Sequence, residues 1–402
     1  MKIMQINSVC GIGSTGKITT DLYKVMKAQG HECIICYGRG TAPKGFATYR
    51  IGTDTDVYKH VLYTRITDKT AFASRKATEE FLHMAKEYDP DIIHLHNLHG
   101  YYLNLELLFE YLKDTGKPVI WSLYDCWSFT GHCSHFDYVG CDKWKSGCYK
   151  CIQKKEYPAS LLFDHSELNY QKKKAIITSY PNLTIVPPTR WLADLVKQSY
   201  LREFKSLIIP SGIDLDAFHP RESTLRAKYA LEEKYVVLGV SNGFDNYKGT
   251  RYFIELANRL PEKYKVVLVG VNDENKHNFP NNILALPRTN SCVELAEFYS
   301  MADVFVNPTL QETQGLTNIE ALACGTGVVT FDSGGCPESI DETCGIVVKR
   351  EDLEGLLQAV IKACEVPFDS NACLQRAARY DKSKLYLNYI ELYEDSIIHE
   401  TV

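Results

Sequence analysis

Residues 307–338 read NPTLQETQGLTNIEALACGTGVVTFDSGGCPE, which is the most informative stretch of the chain. The pattern predicts a strand, a loop and a helix that begins near Gly315, and Glu320 follows Glu312 by eight positions. A wholly helical path of that length would separate the two carboxylates by about 12 Å. Two acids so spaced can hold opposite ends of an elongated ligand. The free amides near Gly315 and Leu316 would present the positive end of the helix to a diphosphate.

Short apolar strands alternate with helical segments along the rest of the chain. The strands include KIMQIN, DIIHLH and PVIWSL in the first half, and YVVLGVS, KVVLVG and DVFVNP in the second. Helices are predicted over residues 17–29, 103–115 and 249–260. This βα repetition predicts an α/β protein with two doubly wound, Rossmann-like domains. A ligand is then expected beyond the carboxyl ends of the strands, in a cleft that the two domains face.

The rhythm of strands and helices restarts after SLIIPSGIDLDAFHP, which places the predicted domain boundary near residues 210–220. We expect an N-terminal domain over 1–215 and a C-terminal domain over 216–383. A Cys-rich insertion is expected near 126–151. Residues 384–402 are expected to form a helix that can pack back on the N-terminal domain.

Length and composition exclude several classes of protein. The chain has 402 residues, of which 45% are hydrophobic and 24% charged, as is typical of soluble two-domain proteins. Its net charge of -5 gives no argument for nucleic-acid binding. No apolar run approaches the roughly 20 residues that a membrane span needs, and the first residues lack a signal-peptide core. We therefore expect a cytoplasmic protein, either free or at the inner face of the membrane.

The segment GIGSTGK, residues 11–17, follows the first predicted strand. It fits a P-loop as far as Lys17, but Ile18 stands where a magnesium-binding Ser or Thr is needed, which disfavours Walker-type NTP hydrolysis. Its glycines allow the backbone to approach a ligand, and the amides near Gly13 and Ser14 can face an anion. The alternative is a tight βα turn that binds nothing.

Lys248, in the segment SNGFDNYKGT, stands where another predicted strand gives way to a helix. It is either a phosphate-binding cation or a solvated loop lysine. Together with the two glutamates, the EALACGTGVV run, the GG pair and PSGIDLDAF, this YKG motif resembles glycosyltransferase family 4. The resemblance covers nearly the whole chain, and the glutamates eight positions apart are its most specific part.

The resemblance implies the GT-B fold and transfer of a sugar from a nucleotide donor with retention of anomeric configuration. Glu312 is then expected beside the donor sugar and Glu320 at the ribose hydroxyls. Lys248 is expected at the diphosphate, together with the amides of Gly315 and Leu316. The GIGSTGK loop is expected to face the donor diphosphate and the acceptor, rather than ATP and magnesium.

Two positions depart from the family pattern. Many relatives carry an Arg about five positions before the lysine, where this chain has Gly243, so part of the leaving-group stabilisation must come from elsewhere. Many also carry His before Asp after a central strand, where WSLYDCW places Tyr124 before Asp125. A phenol with an ordinary pKa near 10 is a poor base at neutral pH. Glu312, Asp125 and Tyr124 are the catalytic candidates, with Tyr124 expected to position substrate.

The expected reaction moves a sugar from a UDP- or GDP-sugar to a hydroxyl of a glycan or lipid-linked acceptor, in bacterial surface polysaccharide synthesis. Lysine and helix amides would stabilise the departing diphosphate, so no catalytic metal is expected. A donor phosphate oxygen, rather than a side chain, is expected to take the acceptor proton. Two alternatives stay open, a sugar-nucleotide epimerase of similar fold and a nucleotide-sugar-binding subunit without catalysis.

The segment DIIHLHNLHG places three histidines at the end of a strand. Strand alternation puts His94 and His96 on one face, and His99 follows three residues later. Metal binding is disfavoured because no acidic or cysteine partner lies nearby in sequence. We expect His96 and Asn97 to contact ligand in the cleft, with plain packing as the alternative.

Five of the fourteen cysteines fall between residues 126 and 151. Four of them have a spacing that suits a closed, structural zinc site with no open catalytic position. These are Cys133, Cys141, Cys148 and Cys151. The alternatives are reduced or partly disulfide-bonded thiols, and mixed sites that use His132 or His135.

Lysines and aromatic residues gather between residues 144 and 174, in CDKWKSGCYKCIQKKEYP and YQKKK. One interpretation is peripheral contact with an anionic membrane that carries a lipid-linked acceptor. The other is a solvated helix face. The pattern alone does not separate the two.

Overall fold

The computed structural model describes residues 1–272, 274 and 279–398. The chain divides into two compact units. The first comprises Met1–Pro210 together with the C-terminal segment from Tyr386, and the second comprises Ser211–Leu385. Among the described residues, no helix is long and apolar enough to cross a membrane.

A parallel sheet with helices around it forms the first unit. Its strands are β1 (Lys2–Val9), β2 (Glu32–Arg39), β3 (Thr48–Arg50), β4 (Ile92–Leu95), β5 (Val119–Ser122), β6 (Leu183–Val186) and β7 (Lys205–Ser206). Its helices are α1 (Gly13–Ala28), α2 (Asp54–Thr67), α3 (Arg75–Tyr88), α4 (Leu105–Thr115), α5 (Ser166–Thr178), α6 (Arg190–Gln198) and α14 (Leu387–Ile398). The strand order is β3-β2-β1-β4-β5-β6-β7. Because the order reverses between β1 and β4, the loops that leave these strands diverge and open a crevice.

The second unit repeats this architecture. Its strands are β8 (Tyr235–Val240), β9 (Tyr264–Val269), β10 (Ile283–Leu286), β11 (Val304–Asn307), β12 (Val328–Phe331) and β13 (Gly345–Val348). Its helices are α7 (Leu225–Lys228), α8 (Thr250–Arg259), α9 (Cys292–Met301), α10 (Leu316–Ala323), α11 (Leu353–Glu365), α12 (Ser370–Ala378) and α13 (Lys382–Leu385). The order β10-β9-β8-β11-β12-β13 reverses between β8 and β11. These two strands therefore flank the expected ligand site of this unit.

Helices cover both faces of the first sheet. Every residue of β4 and β5 is buried, which is why these strands read as continuous apolar runs rather than alternating ones.

The sequence-based start of α1 at residue 17 was wrong, because the helix begins at Gly13. The Gly11 amide donates to the Gly16 carbonyl at 2.9 Å, so most of the GIGSTGK segment forms the first turn of the helix instead of a loop before it.

The C-terminal helix α14 is tied to the sheet of the first unit by two buried tyrosines. The hydroxyl of Tyr393 lies 2.6 Å from Nδ1 of His94, and that of Tyr389 lies 2.8 Å from Oγ of Ser122. His94 Nε2 also contacts Ser122 Oγ at 2.8 Å. The helix therefore completes a buried polar network at the ends of β4 and β5.

Replacing Tyr393 with Phe tests this connection. The change leaves a buried nitrogen of His94 without its tyrosine partner, which should lower the free energy of unfolding by about 1–3 kcal/mol. Denaturant unfolding of both proteins measures the difference. Tyr58→Phe is the matched control, since Tyr58 is 74% exposed and its substitution should cost almost nothing. Equal stability of the Tyr393→Phe variant and the wild type would contradict the assignment.

Candidate active site

An ion pair joins the two loops that leave β8 and β11. The Nζ atom of Lys248 lies 2.8 Å from Oε2 of Glu312. Attraction to Glu312 raises the pKa of Lys248, so the amine is charged at neutral pH. The pair lies at the reversal point of the strand order, where doubly wound units bind ligands. Lys248 is therefore held by Glu312 at the edge of the sheet where a ligand is expected, and is not a freely solvated loop lysine.

Two glycines allow neighbouring loops to approach the loop after β11, Gly249 from the loop after β8 and Gly334 from the loop after β12. Gly249 adopts φ +75°, and a side chain there would place its Cβ 2.1 Å from the carbonyl oxygen of Pro308. Gly334 adopts φ +56°, and its Cβ would lie 1.7 Å from the carbonyl oxygen of Glu312. Since neither contact can be relieved without moving backbone, the glycines fix the positions of Lys248 and Glu312.

The helix α10 begins directly after this loop. Gly315 caps it in the left-handed conformation, φ 74°, and no side chain of the cap accepts from the first amides. The N-terminal end of α10 therefore offers unsatisfied donors to an anion. Glu320 lies one turn further along, and Tyr299 donates its hydroxyl to Oε2 of Glu320 at 2.9 Å. Gln314 secures the loop through two hydrogen bonds with the backbone of Ser211, at 3.0 and 2.9 Å.

The backbone accounts for the glycine at the position where relatives carry Arg. Gly243 adopts φ +92°, in the left-handed region that side chains disfavour. Its amide donates to the carbonyl of Gly270 at 3.0 Å, and its own carbonyl accepts from Ser241 Oγ at 2.6 Å. An Arg at this position would therefore require a different path for the loop after β8.

A buried chain of hydrogen bonds leads to Tyr124 in the first unit. Gln5 Nε2 donates to the Thr19 carbonyl at 3.1 Å, which leaves Gln5 Oε1 to accept from His96 Nε2 at 3.1 Å. Burial lowers the pKa of His96 to about 3, so the ring is neutral and its Nδ1 is an acceptor. The Tyr124 hydroxyl, 2.9 Å away, therefore donates to His96. Burial also raises the pKa of Tyr124 well above its ordinary value, which disfavours Tyr124 as a base.

His99 and Asp125 form a second pair at the same edge of the sheet. His99 Nε2 lies 2.7 Å from Oδ2 of Asp125, and His99 Nδ1 lies 3.0 Å from the hydroxyl of Tyr157. Although burial opposes ionisation of Asp125, the neighbouring His99 lowers its pKa. The pair borders a small pocket that His96 and Tyr124 also line. Sequence reasoning missed His99 as a partner of Asp125, because the two residues lie on different loops.

The end of strand β1 and the loop after β4 meet through Asn7. Its Oδ1 accepts from the backbone amides of Ser8 and Asn97, at 2.9 and 3.2 Å. Gly13 and Ser14 lie at the exposed start of α1, where the cap residue Ile12 offers no side-chain acceptor and the first turn has no acidic residue. No acidic side chain in this turn opposes an anion, and the role of Gly13 and Ser14 stays a prediction.

The four candidate zinc ligands line one small pocket, together with His132 and Trp144. A hydrogen bond from Cys133 lowers the pKa of Cys151 to about 7. In the described ranges, no group of three or more His, Cys, Asp or Glu side chains is arranged to hold a metal ion. The zinc site stays a prediction, and metal analysis of protein purified without chelator decides between about one zinc per chain and none.

The two-sheet architecture and the matching family models together identify the class of protein as a glycosyltransferase. Residues 15–217 match the model of Glycosyltransferase Family 4, and residues 234–365 match that of Glycosyl transferases group 1. The chain belongs to glycosyltransferase family 4.

Two curated relatives come from bacteria. The colanic acid biosynthesis glycosyl transferase WcaC of Escherichia coli (strain K12) is 24% identical over 89% of this chain and 90% of its own length. The N,N'-diacetylbacillosaminyl-diphospho-undecaprenol alpha-1,3-N-acetylgalactosaminyltransferase of Campylobacter jejuni is 28% identical over 50% of this chain and 57% of its own length. The resemblance to glycosyltransferases that the sequence predicts is thus confirmed.

Solved structures confirm the GT-B fold. Sucrose-phosphate synthase from Thermosynechococcus elongatus superposes with a TM-score of 0.72 at 17% identity, over 98% of each chain. Anabaena Alr3699/HepE in complex with UDP-glucose superposes with a TM-score of 0.69 at 13% identity, over 98% of this chain and all of that one. At such identities the likeness concerns the fold alone.

Proposed function

We propose that this glycosyltransferase moves a sugar, with retention of configuration, from a UDP- or GDP-sugar to a hydroxyl of a glycan or lipid-linked acceptor in bacterial surface polysaccharide synthesis. The observation that carries the proposal is the Lys248–Glu312 pair beside the N-terminal end of α10. A cation, free helix amides and two carboxylates are the groups that a sugar diphosphate needs. The colanic acid relative and the undecaprenol-linked relative support the acceptor class.

The second unit would hold the donor. The diphosphate would lie against Lys248 and the amides of Gly315 and Leu316, which stabilise the charge that grows as it leaves. Glu320 would accept from the ribose hydroxyls, and Glu312 would lie beside the sugar, where positive charge develops at the anomeric carbon. Because the amine of Lys248 and the helix amides supply positive charge at the diphosphate, we propose that catalysis needs no bound metal.

The first unit would hold the acceptor. Its hydroxyl oxygen would bond to the anomeric carbon as the bond from that carbon to the phosphate oxygen breaks, and its proton would pass to an oxygen of the departing diphosphate. His96 and Tyr124 are unsuited to act as bases, since His96 is neutral with a low pKa and Tyr124 has a high one. We assign Tyr124, Asn97 and the His99–Asp125 pair to positioning of the acceptor, with Gly13 and Ser14 facing the diphosphate and acceptor.

A donor screen followed by a transfer assay tests the function. The matching UDP- or GDP-sugar should raise the unfolding temperature, because a ligand that binds only the folded state stabilises it. Release of UDP or GDP should then require an acceptor, such as an undecaprenyl-diphosphate-linked sugar. An epimerase would convert the donor sugar without an acceptor, and a non-catalytic subunit would bind the donor and release nothing. Either result would contradict the proposal.

Substitutions of the two glutamates separate their roles. Glu320→Gln should weaken donor binding by roughly 1–3 kcal/mol, since it removes a charged acceptor from hydroxyls that do not react. Glu312→Gln should lower turnover more than donor affinity, because the charge beside it develops only during transfer. Donor dissociation constants and single-turnover rates measure both effects. Normal turnover in Glu312→Gln, with lost turnover and normal affinity in Glu320→Gln, would reverse the assignment.

A further inference from the structure

Arg39 ends strand β2 as a cation without a bonding partner. Its Nε atom is buried and has no hydrogen-bond partner, and among the described residues its side chain forms no hydrogen bond or ion pair. Buried polar groups in native proteins are almost always hydrogen-bonded, so such a nitrogen needs a physical explanation. The residue is half-buried at the carboxyl end of a parallel strand, which is the edge where doubly wound units bind ligands.

The loop after β4 lies directly against the end of β2. A side chain at Gly38 would place its Cβ 2.2 Å from the Cβ of Tyr102. Gly100 adopts φ +122°, and its Cβ would lie 2.8 Å from the Cβ of Ser8 and 3.6 Å from a terminal nitrogen of Arg39. Because the two glycines leave no room between these segments, the guanidinium of Arg39 is a neighbour of the loop that carries His99.

Tyr101, the next residue of this loop, holds the guanidinium on one side. The guanidinium carbon of Arg39 lies 5.9 Å from the centre of the Tyr101 ring, within the range of a cation–π contact. Burial raises the pKa of the Tyr101 phenol, and attraction to Arg65 and Arg39 opposes that rise. Tyr101 adopts φ +68°, a backbone conformation that costs energy for a bulky residue and that clusters at functional sites.

The acids on neighbouring segments do not neutralise Arg39. Asp125, on the loop after β5, binds Nε2 of His99 at 2.7 Å instead. Within the part of the chain that the structure describes, neither Asp125 nor Glu156 forms an ion pair with Arg39. A half-buried guanidinium is partly removed from water and gains free energy from an opposite charge. The end of β2 therefore lacks an anion that the folded chain itself does not supply.

Arg39 borders the groups that we assign to the acceptor. The rings of Tyr101 and Tyr157 meet edge to face, with their centres 5.9 Å apart, and the Tyr157 hydroxyl lies 3.0 Å from Nδ1 of His99. On the other side, a Cβ at Gly40 would lie 2.8 Å from Cδ1 of Ile12, the cap residue of α1. An anion at Arg39 would therefore lie beside both the start of α1 and the acceptor-positioning pair.

We propose that Arg39 binds an anionic group of the acceptor, either a phosphate or a carboxylate. The planar fork of a guanidinium matches two oxygens of either group, and the ring of Tyr101 fixes the plane of that fork. The phosphate would come from the linkage of a glycan to its carrier lipid, and the carboxylate would come from an acidic sugar. This inference rests on the proposed function, because it names the class of acceptor for the same transfer.

Titration calorimetry without donor tests the anion site. Inorganic pyrophosphate and glucuronate are the probes, with glucose as the uncharged control, and the full chain carries Lys248→Ala so that the proposed donor site does not contribute. At least one anion should bind, and adding Arg39→Ala should weaken it at least roughly tenfold, as expected for a lost charged hydrogen bond. Binding of pyrophosphate alone would identify a phosphate-bearing acceptor, and binding of glucuronate alone an acidic sugar.

Further variants separate charge from structure. Arg39→Gln keeps much of the side chain and should lose as much affinity as Arg39→Ala, whereas Arg39→Lys keeps a cation and should retain part of it. Arg202→Ala is the matched control, since it removes an exposed arginine beside β7 and should bind the anion normally. Thermal unfolding confirms that the variants fold. In the transfer assay, Arg39→Gln should raise the KM for acceptor at least roughly tenfold and leave donor affinity unchanged.

Three results would overturn the inference. The first is that neither anion binds the Lys248→Ala protein, and the second is that the Arg39→Gln change leaves anion binding intact. The third is a loss of donor affinity in Arg39→Gln alone, since Arg39 would then meet the donor diphosphate. Anion binding that depends on Arg39 supports the inference even where no transfer occurs, so a failed transfer is distinguished from a failed anion site.

Discussion

The close approach of the loops after β8, β11 and β12 is the constraint on which the proposed donor site depends. Gly249 permits a backbone contact between the loops after β8 and β11, and Gly334 permits one between the loops after β12 and β11. Lys248 and Glu312 meet between these loops. A partly exposed ion pair of this kind contributes little to stability. The role of the ion pair is electrostatic, because it holds the charged amine of Lys248 at the end of the sheet, beside the unsatisfied amides of α10. An arriving diphosphate would compete with Glu312 for that amine and free the carboxylate to face the sugar.

In the first unit, the imidazole rings of two histidines are buried in their neutral form. Burial keeps His94 and His96 neutral, and each ring nitrogen has a partner, which removes most of the cost of burying a polar group. The result is a fixed direction of hydrogen-bond donation, from the Tyr124 hydroxyl through His96 and Gln5 to the Thr19 carbonyl. Such a chain positions a substrate hydroxyl well and accepts its proton poorly, which agrees with a proton acceptor on the donor itself.

How much the sequence reveals depends on how far apart the cooperating residues lie. Glu312 and Glu320 share one strand–loop–helix unit, so their relation is visible as a spacing. Lys248 and Glu312 are joined only by the parallel strand order, and the pairing of His99 with Asp125 depends on the neighbouring register of β4 and β5. The orientation of helix α2, which buries His60, was also invisible, because the ring is held by Ser74 and Ala71, which no periodicity within the helix reports.

The most direct test of the account is calorimetric binding of the donor nucleotide in EDTA. If Lys248 and the amides of α10 are the positive charge that the diphosphate meets, affinity should be the same with and without chelator. Lys248→Ala should then lose roughly tenfold or more, as expected for a charged hydrogen bond, while Lys197→Ala, an exposed lysine of the first unit, should bind normally. Affinity that vanishes in EDTA and returns with magnesium or manganese would contradict the central claim.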